Sequence, residues 1–366
     1  MYKVVDLFTG VGGLALGFKN ENFKTLLAND VDSDMCEAFK LNSPNVKIIC
    51  DNIKNIKFKD VVSSKVDIIL GGPPCQAYST SGKRLLEDKR AFLYHQYYRA
   101  LKELMPKLFI YENVKGLLSM NGGQLFLEIK DLFSSLGYKI QAKILNSADY
   151  GVPQLRERVI IVGVLDNIKF NYPQPTHFLN SDTKDLFLDH KKKYLTLEDA
   201  LSDFPLIENG EKSEKYAKPP QNDYQKKMRL KSFILTEHNS STHSESLMRV
   251  IRNVPQGGIM KDIPKKFRPK TGFGNSYGRL WWNKPSTTLT RNFGTPSSAR
   301  CIHPKCDRAL TTREGARLQS FNDNFQFYGS KQKKNLQIGN AVPPVSAKWP
   351  EVCFNDSSKH PKRCLR

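Results

Sequence analysis

A chain of 366 residues, of which 39% are hydrophobic and 25% charged, has a globular composition and the length of one large or two ordinary domains. No run approaches the roughly 20 apolar residues of a membrane helix, and the first residues open into a strand pattern, so we expect a cytoplasmic protein without a signal peptide. The formal net charge of +21 favours a polyanionic partner. Seven scattered cysteines predict reduced thiols; Cys301 and Cys306 are interpreted as structural because no second ligand pair with zinc-type spacing accompanies them, and we expect no metal.

Short apolar runs alternate with helical patterns over the first 170 residues. We predict strands over 3–8, 24–28, 46–49, 66–70, 108–111, 138–145 and 159–165, and helices over 33–41, 91–105 and 122–136. Alternation at this spacing predicts an α/β fold with a doubly wound, parallel, Rossmann-like sheet. We expect the carboxyl ends of its strands to gather Phe8, Asp30, Asn52, Cys75 and Glu112 along one edge.

A glycine-rich turn follows the first strand and leads into a helix. It contains Thr9, Gly10, Gly12 and Gly13. Glycines let the backbone approach a ligand, and the helix N-terminus offers free N–H groups, so the turn favours a cofactor site, although it is weak evidence alone. Asp30 ends the second strand, where it suits either a ribose hydroxyl or the cap of the next helix.

The fourth strand stops at two glycines and two prolines, which cannot continue a ladder. They present Cys75 from a rigid turn at the carboxyl end of a strand. Its thiol is either a nucleophile or a small buried hydrophobe. Glu112, which follows the fifth strand, is either a proton donor in a partly desolvated pocket or a solvated strand end. Adjacent strand ends would pair Cys75 with Glu112 as a nucleophile and an acid.

Arg156 and Arg158 lie two residues apart on a segment that reads as extended. Side chains at this spacing point the same way in a strand, which suits contacts with an anion or a base carbonyl. The alternative is a surface salt bridge with Glu157.

The regular alternation ends near residue 170, where we place a domain boundary. Residues 249–300 carry eleven basic and one acidic side chain, interleaved with aromatics. This pattern favours nucleic acid, with a solvated basic surface as the alternative. Helical periodicity returns over 308–321, with Thr311 or Thr312 as its cap, and residues 337–344 are predicted to form a glycine turn that leads to prolines at a helix start.

In this order the motifs resemble those of bacterial C5-cytosine-specific DNA methyltransferases of restriction-modification systems. The resemblance runs from Tyr2 to about Pro344 and is carried by DLFTGVGG (6–13), GPPCQ (72–76), ENV (112–114), QLRER (154–158) and QIGNAVPP (337–344). Each motif is modest evidence alone, but the ordered set is very specific.

The resemblance implies an S-adenosylmethionine-dependent methyltransferase domain with a smaller, irregular target-recognition domain. Catalytic and cofactor-binding functions would lie in 1–170 and 306–348, target recognition in 171–305, and an atypical C-terminal tail in 349–366. The cofactor, whose product is S-adenosylhomocysteine, would be bound by Phe8, Thr9, Gly10, Gly12, Gly13, Asp30, Val31, Asn52, Ile53, Pro74, Asn340 and Ala341. Asn52 stands where the family commonly has an aspartate, but its carbonyl oxygen can accept the same hydrogen bond.

The resemblance also implies a mechanism on a cytosine flipped out of double-stranded DNA. Cys75 would attack C6, Glu112 would act at N3, and Arg156 and Arg158 would help to hold the base. Contacts with DNA are expected from Ser79, Ser81, Lys83, Arg84, Arg249, Arg252, Gln256, Arg279, Thr288, Thr290 and Arg291. We expect a monomer on nucleoid DNA that protects host DNA, with a cognate restriction endonuclease that makes no stable contact.

Three alternatives stay open on the sequence. A tRNA cytosine methyltransferase could share the machinery, although the basic insert favours duplex DNA. A DNA-binding protein that has lost catalysis is disfavoured by the intact Cys75, Glu112 and Arg158. A dinucleotide oxidoreductase is disfavoured because the glycine spacing does not match its fingerprint.

Overall fold

The structure is a computed structural model that describes residues 1–19, 23–74, 92–165, 168–179, 192–272, 274–345 and 353–354. Contacts divide the chain into two compact units. The first unit comprises 1–146, 157–174 and 346–366, and the second comprises 147–156 and 175–345.

Seven strands of the described chain form one sheet in the first unit. They are β1 (Tyr2–Leu7), β2 (Phe23–Asp30), β3 (Lys47–Cys50), β4 (Ile68–Gly71), β5 (Leu108–Val114), β6 (Lys139–Asn146) and β7 (Glu157–Val164), in the order β3-β2-β1-β4-β5-β7-β6. Helices α1 (Gly13–Lys19), α2 (Ser33–Asn42), α3 (Phe58–Val61), α4 (Leu93–Leu104) and α5 (Gln124–Ser134) connect them, with 3-10 turns at Ile53–Asn55 and Lys115–Gly123. The predicted α/β class is confirmed.

The prediction of a wholly parallel sheet is wrong for one strand. β7 runs antiparallel to both β5 and β6. Only residues 147–156 join β6 to β7, and a parallel neighbour needs a crossover of about a dozen residues or more, so the chain returns in the opposite direction. β5 is also longer than predicted: its pairing with β4 ends at Gly71↔Tyr111, and Glu112 lies beyond it, opposite Ile160 of β7.

The core of the first unit lies between the sheet and the helices. α4 directs Tyr94, Tyr97, Ala100 and Leu101 inward, at the spacing that places side chains on one face of a helix. The helix ends at Met105 in a left-handed conformation, one residue before Pro106, which could not continue it. Packing of α4 against the sheet thus fixes β4 and β5, whose ends carry the predicted chemistry.

The second unit is irregular, as the sequence predicts. Its helices are α6 (Leu197–Leu201), α7 (Asp223–Met228), α8 (Glu245–Arg252), α9 (Thr312–Leu318) and α10 (Lys331–Asn340). Two-residue and three-residue strands form small pairs: β9 (His177–Phe178) with β10 (Lys192–Lys193), and β11 (Gly278–Arg279) with β12 (Arg300–Ile302). Further 3-10 turns lie at Ser147–Tyr150, Met260–Asp262 and Lys265–Phe267.

Two predictions for the C-terminal part have clear outcomes. The cap of α9 is confirmed: Thr311 accepts from the Glu314 N–H, and Glu314 accepts in return from the Thr311 N–H. The predicted glycine turn over 337–344 is wrong at its start, because Gln337 to Asn340 form the last turn of α10. By contacts, residues 306–345 pack with the second unit, whereas the sequence predicted their return to the catalytic part. The functional boundaries at 170, 305 and 348 remain predictions.

The tail is described only at β13 (Cys353–Phe354), which pairs antiparallel with β8 (Ile168–Lys169) in the first unit. The rest of the predicted atypical tail lies outside the described residues. Within the described ranges, none of the helices is long and apolar enough to cross a membrane.

The core of the second unit contains a buried arginine that binds two acids. The Arg317 guanidinium donates to the Asp203 and Asp323 carboxylates, and all three side chains are fully buried. Buried charges need such partners, since removing one leaves the other desolvated and unpaired.

We therefore expect Arg317→Leu to lower the free energy of unfolding by about 3–5 kcal/mol, because it leaves two buried carboxylates without their main cation. Urea unfolding followed by circular dichroism measures this. Lys226→Ala, at a side chain that is 66% exposed and paired with Asp223, is the control, with an expected change within about 0.5 kcal/mol. An Arg317→Leu curve that superimposes on the wild type would contradict the prediction.

Candidate active site

The glycine turn after β1 has a backbone that few other residues could adopt. Gly10 and Gly12 have φ values of +55° and +85°. A Cβ on Gly12 would lie 2.8 Å from the Phe39 ring, so this position excludes any side chain. A Cβ on Gly10 would meet nothing within 4 Å, so open space lies beside the turn. At Gly10 the turn therefore presents bare backbone to open space.

Asp30 holds this turn and does not cap the next helix. Its Oδ2 accepts from the Gly10 N–H at 2.8 Å and its Oδ1 from the Asp32 N–H at 3.0 Å. The cap of α2 is Asp32, which accepts from the backbone of Asp34 and Met35, so the capping alternative for Asp30 is wrong. Burial raises the pKa of Asp30, and its backbone donors oppose that shift.

A second carboxyl lies beneath the same turn. Asp6 in β1 is 1% exposed and accepts from the Thr9 hydroxyl. Burial raises the pKa of Asp6 to about 7; the Thr9 hydrogen bond opposes this shift, and the negative charge of Asp30 adds to it. Asp6 has no periodicity or charge signal of its own in the sequence, and its place inside the DLFTGVGG motif is the only feature there that marks it.

The turn after β4 is fixed by close packing. A Cβ on Gly71 would lie 2.6 Å from the Tyr97 ring and 3.1 Å from the Leu7 carbonyl oxygen. The buried Asn113 side chain donates from Nδ2 to the Pro73 carbonyl at 3.3 Å, a contact that sequence reasoning missed. Pro74 is half-buried and is the last described residue before Cys75, the predicted nucleophile. The predicted residues Cys75, Ser79, Ser81, Lys83 and Arg84 lie outside the described residues.

Glu112 lies between this turn and Arg158. The Arg158 Nε is 3.1 Å from Oε1 of Glu112, and both side chains are largely buried. The other carboxylate oxygen, Oε2, is 3.0 Å from the place where a Cβ on Gly72 would stand. One oxygen is thus held by an arginine, while the other faces the glycine that precedes Pro73 and Pro74.

The prediction that Arg156 and Arg158 point the same way is wrong. Arg156 is 2% exposed and donates to the carbonyls of Leu289 and Gly339 within the second unit. The alternation of side chains applies only inside a strand, and β7 begins at Glu157, after Arg156. The alternative pairing with Glu157 also fails as stated, because the carboxylate of Glu157 binds Lys115.

The remaining predicted cofactor residues are less uniform. Phe8 is half-buried with a φ of +54°, and Val31 is 70% exposed beside Asp30. Asn52 is exposed and caps a 3-10 turn through Oδ1, whereas the Ile53 side chain is buried in the core, so a ligand contact there falls to its backbone. Asn340 and Ala341 lie at the end of α10 in the second unit, with Asn340 exposed.

The predicted DNA contacts of the second unit are exposed, with one exception. The exposed side chains are Arg249, Arg252, Gln256, Thr288, Thr290 and Arg291. Thr288 also donates to the Leu155 carbonyl at 2.8 Å. Arg279 is the exception, and its assignment to DNA is corrected: it is buried, and its guanidinium donates to the carbonyls of Ile251, Val254, His303 and Cys306 and to the Asp307 carboxylate. No donor of Arg279 is left for a phosphate, since a guanidinium has five.

Cys301 and Cys306 are buried free thiols, as a structural role requires. His303, between them, accepts at Nδ1 from the backbone of Lys305 and Cys306. Among the residues with described positions, no group of three or more His, Cys, Asp or Glu side chains is arranged to hold a metal.

Comparisons with known proteins identify the family of the chain. A model of the C-5 cytosine-specific DNA methylase family matches residues 2–349. The chain is 33% identical over 350 residues to the Type II methyltransferase M1.HphI of Haemophilus parahaemolyticus, covering 94% of this chain and 84% of that protein. It is 38% identical over 347 residues to the Type II methyltransferase M.NgoFVII of Neisseria gonorrhoeae, with 93% and 83% covered.

Solved structures give the same result. A candidate DNA modification methyltransferase encoded within an E. coli prophage superimposes with a TM-score of 0.74 at 26% identity, covering 95% of this chain and 97% of that one. The S. pombe Dnmt2 methyltransferase, at 16% identity and a TM-score of 0.61, covers 95% of this chain and 96% of that one and shares the fold. The first unit therefore has the fold of the S-adenosylmethionine-dependent methyltransferases.

The chain belongs to the C-5 cytosine-specific DNA methylase family, and its activity is that of a DNA cytosine-5-methyltransferase. Family and fold together imply S-adenosylmethionine as the methyl donor and DNA as the substrate.

Asp6 generates a pH prediction. Between pH 4 and 7 the folded protein keeps the Asp6 proton, whereas the unfolded chain, with a pKa near 3.8, has lost it. Rising pH therefore favours the unfolded chain by at most about 1.4 kcal/mol per pH unit over this window. Asp6→Asn cannot titrate, so the variant should gain stability relative to the wild type as pH rises from 4 to 7, and the gain should level off above pH 7.

Urea unfolding of both proteins at pH 5, 6, 7 and 8 measures this difference. Parallel stability profiles for wild type and Asp6→Asn would show that Asp6 does not titrate in that window.

Proposed function

We propose that this protein methylates C5 of a cytosine flipped out of double-stranded DNA, through a covalent bond between Cys75 and C6. The observation that carries the proposal is the position of Glu112, with one oxygen on Arg158 and the other facing Gly72. Gly72 precedes Pro73, Pro74 and Cys75 in the sequence, so we assign Glu112 as the acid that acts with Cys75 as the nucleophile.

The residues around the glycine turn fit S-adenosylmethionine. The open space beside Gly10 and the carboxylate of Asp30 suit a ligand that carries hydroxyl groups, and the exposed Val31 offers apolar contact. We assign the binding of this cofactor to Phe8, Thr9, Gly10, Gly12, Gly13, Asp30, Val31, Asn52, Ile53, Pro74, Asn340 and Ala341. When bound, the cofactor supplies an electrophilic methyl group to the activated C5.

The chain's own residues activate and release the base. The Cys75 thiolate forms a bond to C6, and the electron pair displaced from the C5–C6 bond is delocalised over the ring, where Glu112 stabilises it by a proton or hydrogen bond at N3. Arg158 holds Glu112 in place from the opposite side. After C5 has gained the methyl group, transfer of the C5 proton to water returns the electron pair of the C5–H bond to the ring, and the C6–S bond breaks to release the Cys75 thiolate.

The second unit suits recognition of the duplex. Arg249, Arg252 and Arg291 are exposed cations for phosphates, and Gln256, Thr288 and Thr290 are exposed polar side chains that can reach base edges. From the residues that follow Cys75 in the sequence, we propose Ser79, Ser81, Lys83 and Arg84 as further contacts that help to displace the target base. Because its relatives are Type II methyltransferases, we propose that the enzyme protects host DNA as a monomer beside a separate restriction endonuclease.

Trapping on duplex DNA that contains 5-fluorocytosine tests the covalent step, because fluorine at C5 blocks the final elimination. With S-adenosylmethionine present, we expect an adduct that survives denaturation for the wild type and none for Cys75→Ala. Sequencing the trapped duplexes from a diverse pool would give the recognised site. If the enzyme binds the cofactor and traps an RNA pool but no DNA duplex, the proposed DNA substrate is wrong and RNA is the substrate.

The role of Glu112 has a matched control on the neighbouring strand. Glu112→Gln keeps the shape but removes the acid, so we expect methyl transfer to slow by ~10²-fold or more with DNA affinity largely kept. Glu157→Gln changes an exposed glutamate that pairs with Lys115, and its rate should stay near that of the wild type. Single-turnover transfer of labelled methyl groups measures both rates, and equal rates for the two variants would exclude Glu112 from the chemistry.

A further inference from the structure

Within the second unit, the proposed cofactor element and a proposed DNA-binding segment touch each other. Gly339 precedes Asn340 and Ala341, and it packs on the backbone of Thr290 and Arg291. A Cβ on Gly339 would stand 2.5 Å from the Arg291 amide nitrogen and from the Thr290 carbonyl carbon. The two segments are therefore in direct backbone contact, with no room for a side chain between them.

Two buried glutamines join the same segments. Gln319 donates from Nε2 to the carbonyls of Ile338 at 2.9 Å and Ala341 at 2.8 Å. Its Oε1 accepts from Nε2 of Gln154, which also donates to the Leu318 carbonyl. Oε1 of Gln154 in turn accepts from the Leu289 N–H at 3.0 Å. The chain of hydrogen bonds runs from Ala341 through both side chains to Leu289.

Further bonds fix the residues beside this chain. Leu155 donates to the Ser286 carbonyl at 2.8 Å, and Ser286 donates to the Pro153 carbonyl at 3.0 Å. Arg156 binds the carbonyls of Leu289 and Gly339, one on each side of the contact. The segment 286–291 is thus held along its length by the short segment 153–156.

Both glutamine side chains are fully buried, and all four of their N–H donors have acceptors. A buried amide that loses a partner has no water to replace it. The network therefore favours one joint arrangement of Ala341, at one end, and Leu289, at the other. Displacement of Ala341 by a ligand would break bonds of Gln319 unless Leu289 moved with it.

We propose that Gln154 and Gln319 are positioning residues that couple cofactor binding to DNA binding. The inference rests on the proposed function, in which Asn340 and Ala341 meet the cofactor and Thr288, Thr290 and Arg291 meet DNA. Occupation of the cofactor site orders Ala341, and the glutamine pair orders the 286–291 segment for DNA. Coupling between sites is reciprocal, so DNA tightens cofactor binding by the same factor.

The test compares duplex affinity with and without S-adenosylhomocysteine, by fluorescence anisotropy on the cognate duplex. For the wild type we expect the cofactor product to tighten DNA binding about tenfold, within the usual range of such couplings. Gln319→Glu replaces two donors by an acceptor facing the Ile338 and Ala341 carbonyls, and the ratio of affinities should fall to within about twofold of one.

Gln225→Glu is the matched control. Gln225 is a fully buried glutamine of the same unit, whose amide donates to the Asp199 carbonyl and the Ser202 hydroxyl, away from both segments. It should reproduce any loss of stability but keep the coupling ratio. The coupling alone is overturned if the wild type binds both ligands but its duplex affinity is the same with and without S-adenosylhomocysteine. It is also overturned if Gln319→Glu keeps the wild-type ratio of these affinities. A wild type that binds neither ligand overturns the proposed function as well.

If Gln319→Glu does not fold, hydrogen exchange of the wild type decides the question. S-adenosylhomocysteine alone should slow amide exchange over 286–291, where the Leu289 N–H is bonded to Gln154, and should leave α8 unchanged. Unchanged exchange over 286–291 in the saturated complex overturns the proposal.

Discussion

The overhang of β5 beyond β4 is the constraint on which the candidate chemistry depends. β4 ends at Gly71, two residues before Pro73 and Pro74, which cannot continue a ladder, and Tyr97 and the Leu7 carbonyl leave no space for a side chain at Gly71. β5 continues to Val114 with β7 as its partner, so Glu112 and Asn113 stand free of β4 and face the turn that β4 leaves behind. Asn113 then holds the Pro73 carbonyl, and Glu112 lies beside Gly72.

The antiparallel direction of β7 supplies the partner of Glu112. Glu112 is opposite Ile160 and Val114 is opposite Arg158, so Arg158 is a diagonal neighbour of Glu112 on the same face of the sheet. The side chains of diagonal neighbours can reach one another, and here an arginine meets a carboxylate at 3.1 Å. The antiparallel direction of β7 thus places Arg158 beside Glu112 in the candidate site.

The sequence sufficed for most of the first unit and for little of the second. Strands β1 to β5 follow from apolar runs that end in glycine, proline or acidic residues. The places of Cys75 and Glu112 after those runs leave each of them a chemical and a structural alternative, and the family resemblance is what favours the chemical one. The antiparallel direction of β7 could have been predicted from its short connection to β6, because parallel neighbours need a crossover of about a dozen residues or more. Arg279 was assigned to DNA because charge density alone does not distinguish an exposed arginine from one buried among carbonyls. Gln154 and Gln319 carry no periodic or charge signal, and only tertiary contacts between residues 165 apart join them.

The bonds of Arg279 also limit how the proposed recognition region can be exchanged between related enzymes. Its guanidinium donates to the carbonyls of Ile251 and Val254, near the start of the basic region 249–300. It also donates to the carbonyls of His303 and Cys306, just past the end of that region. These hydrogen bonds hold the two ends of the segment 251–306 together. We expect that exposed residues between these ends can vary without loss of the bonds that join them, provided that position 279 remains an arginine. A chimera that exchanges the proposed recognition segment therefore keeps these bonds when its joints lie outside residues 251 and 306. A joint between Arg279 and either end would separate the guanidinium from its acceptors.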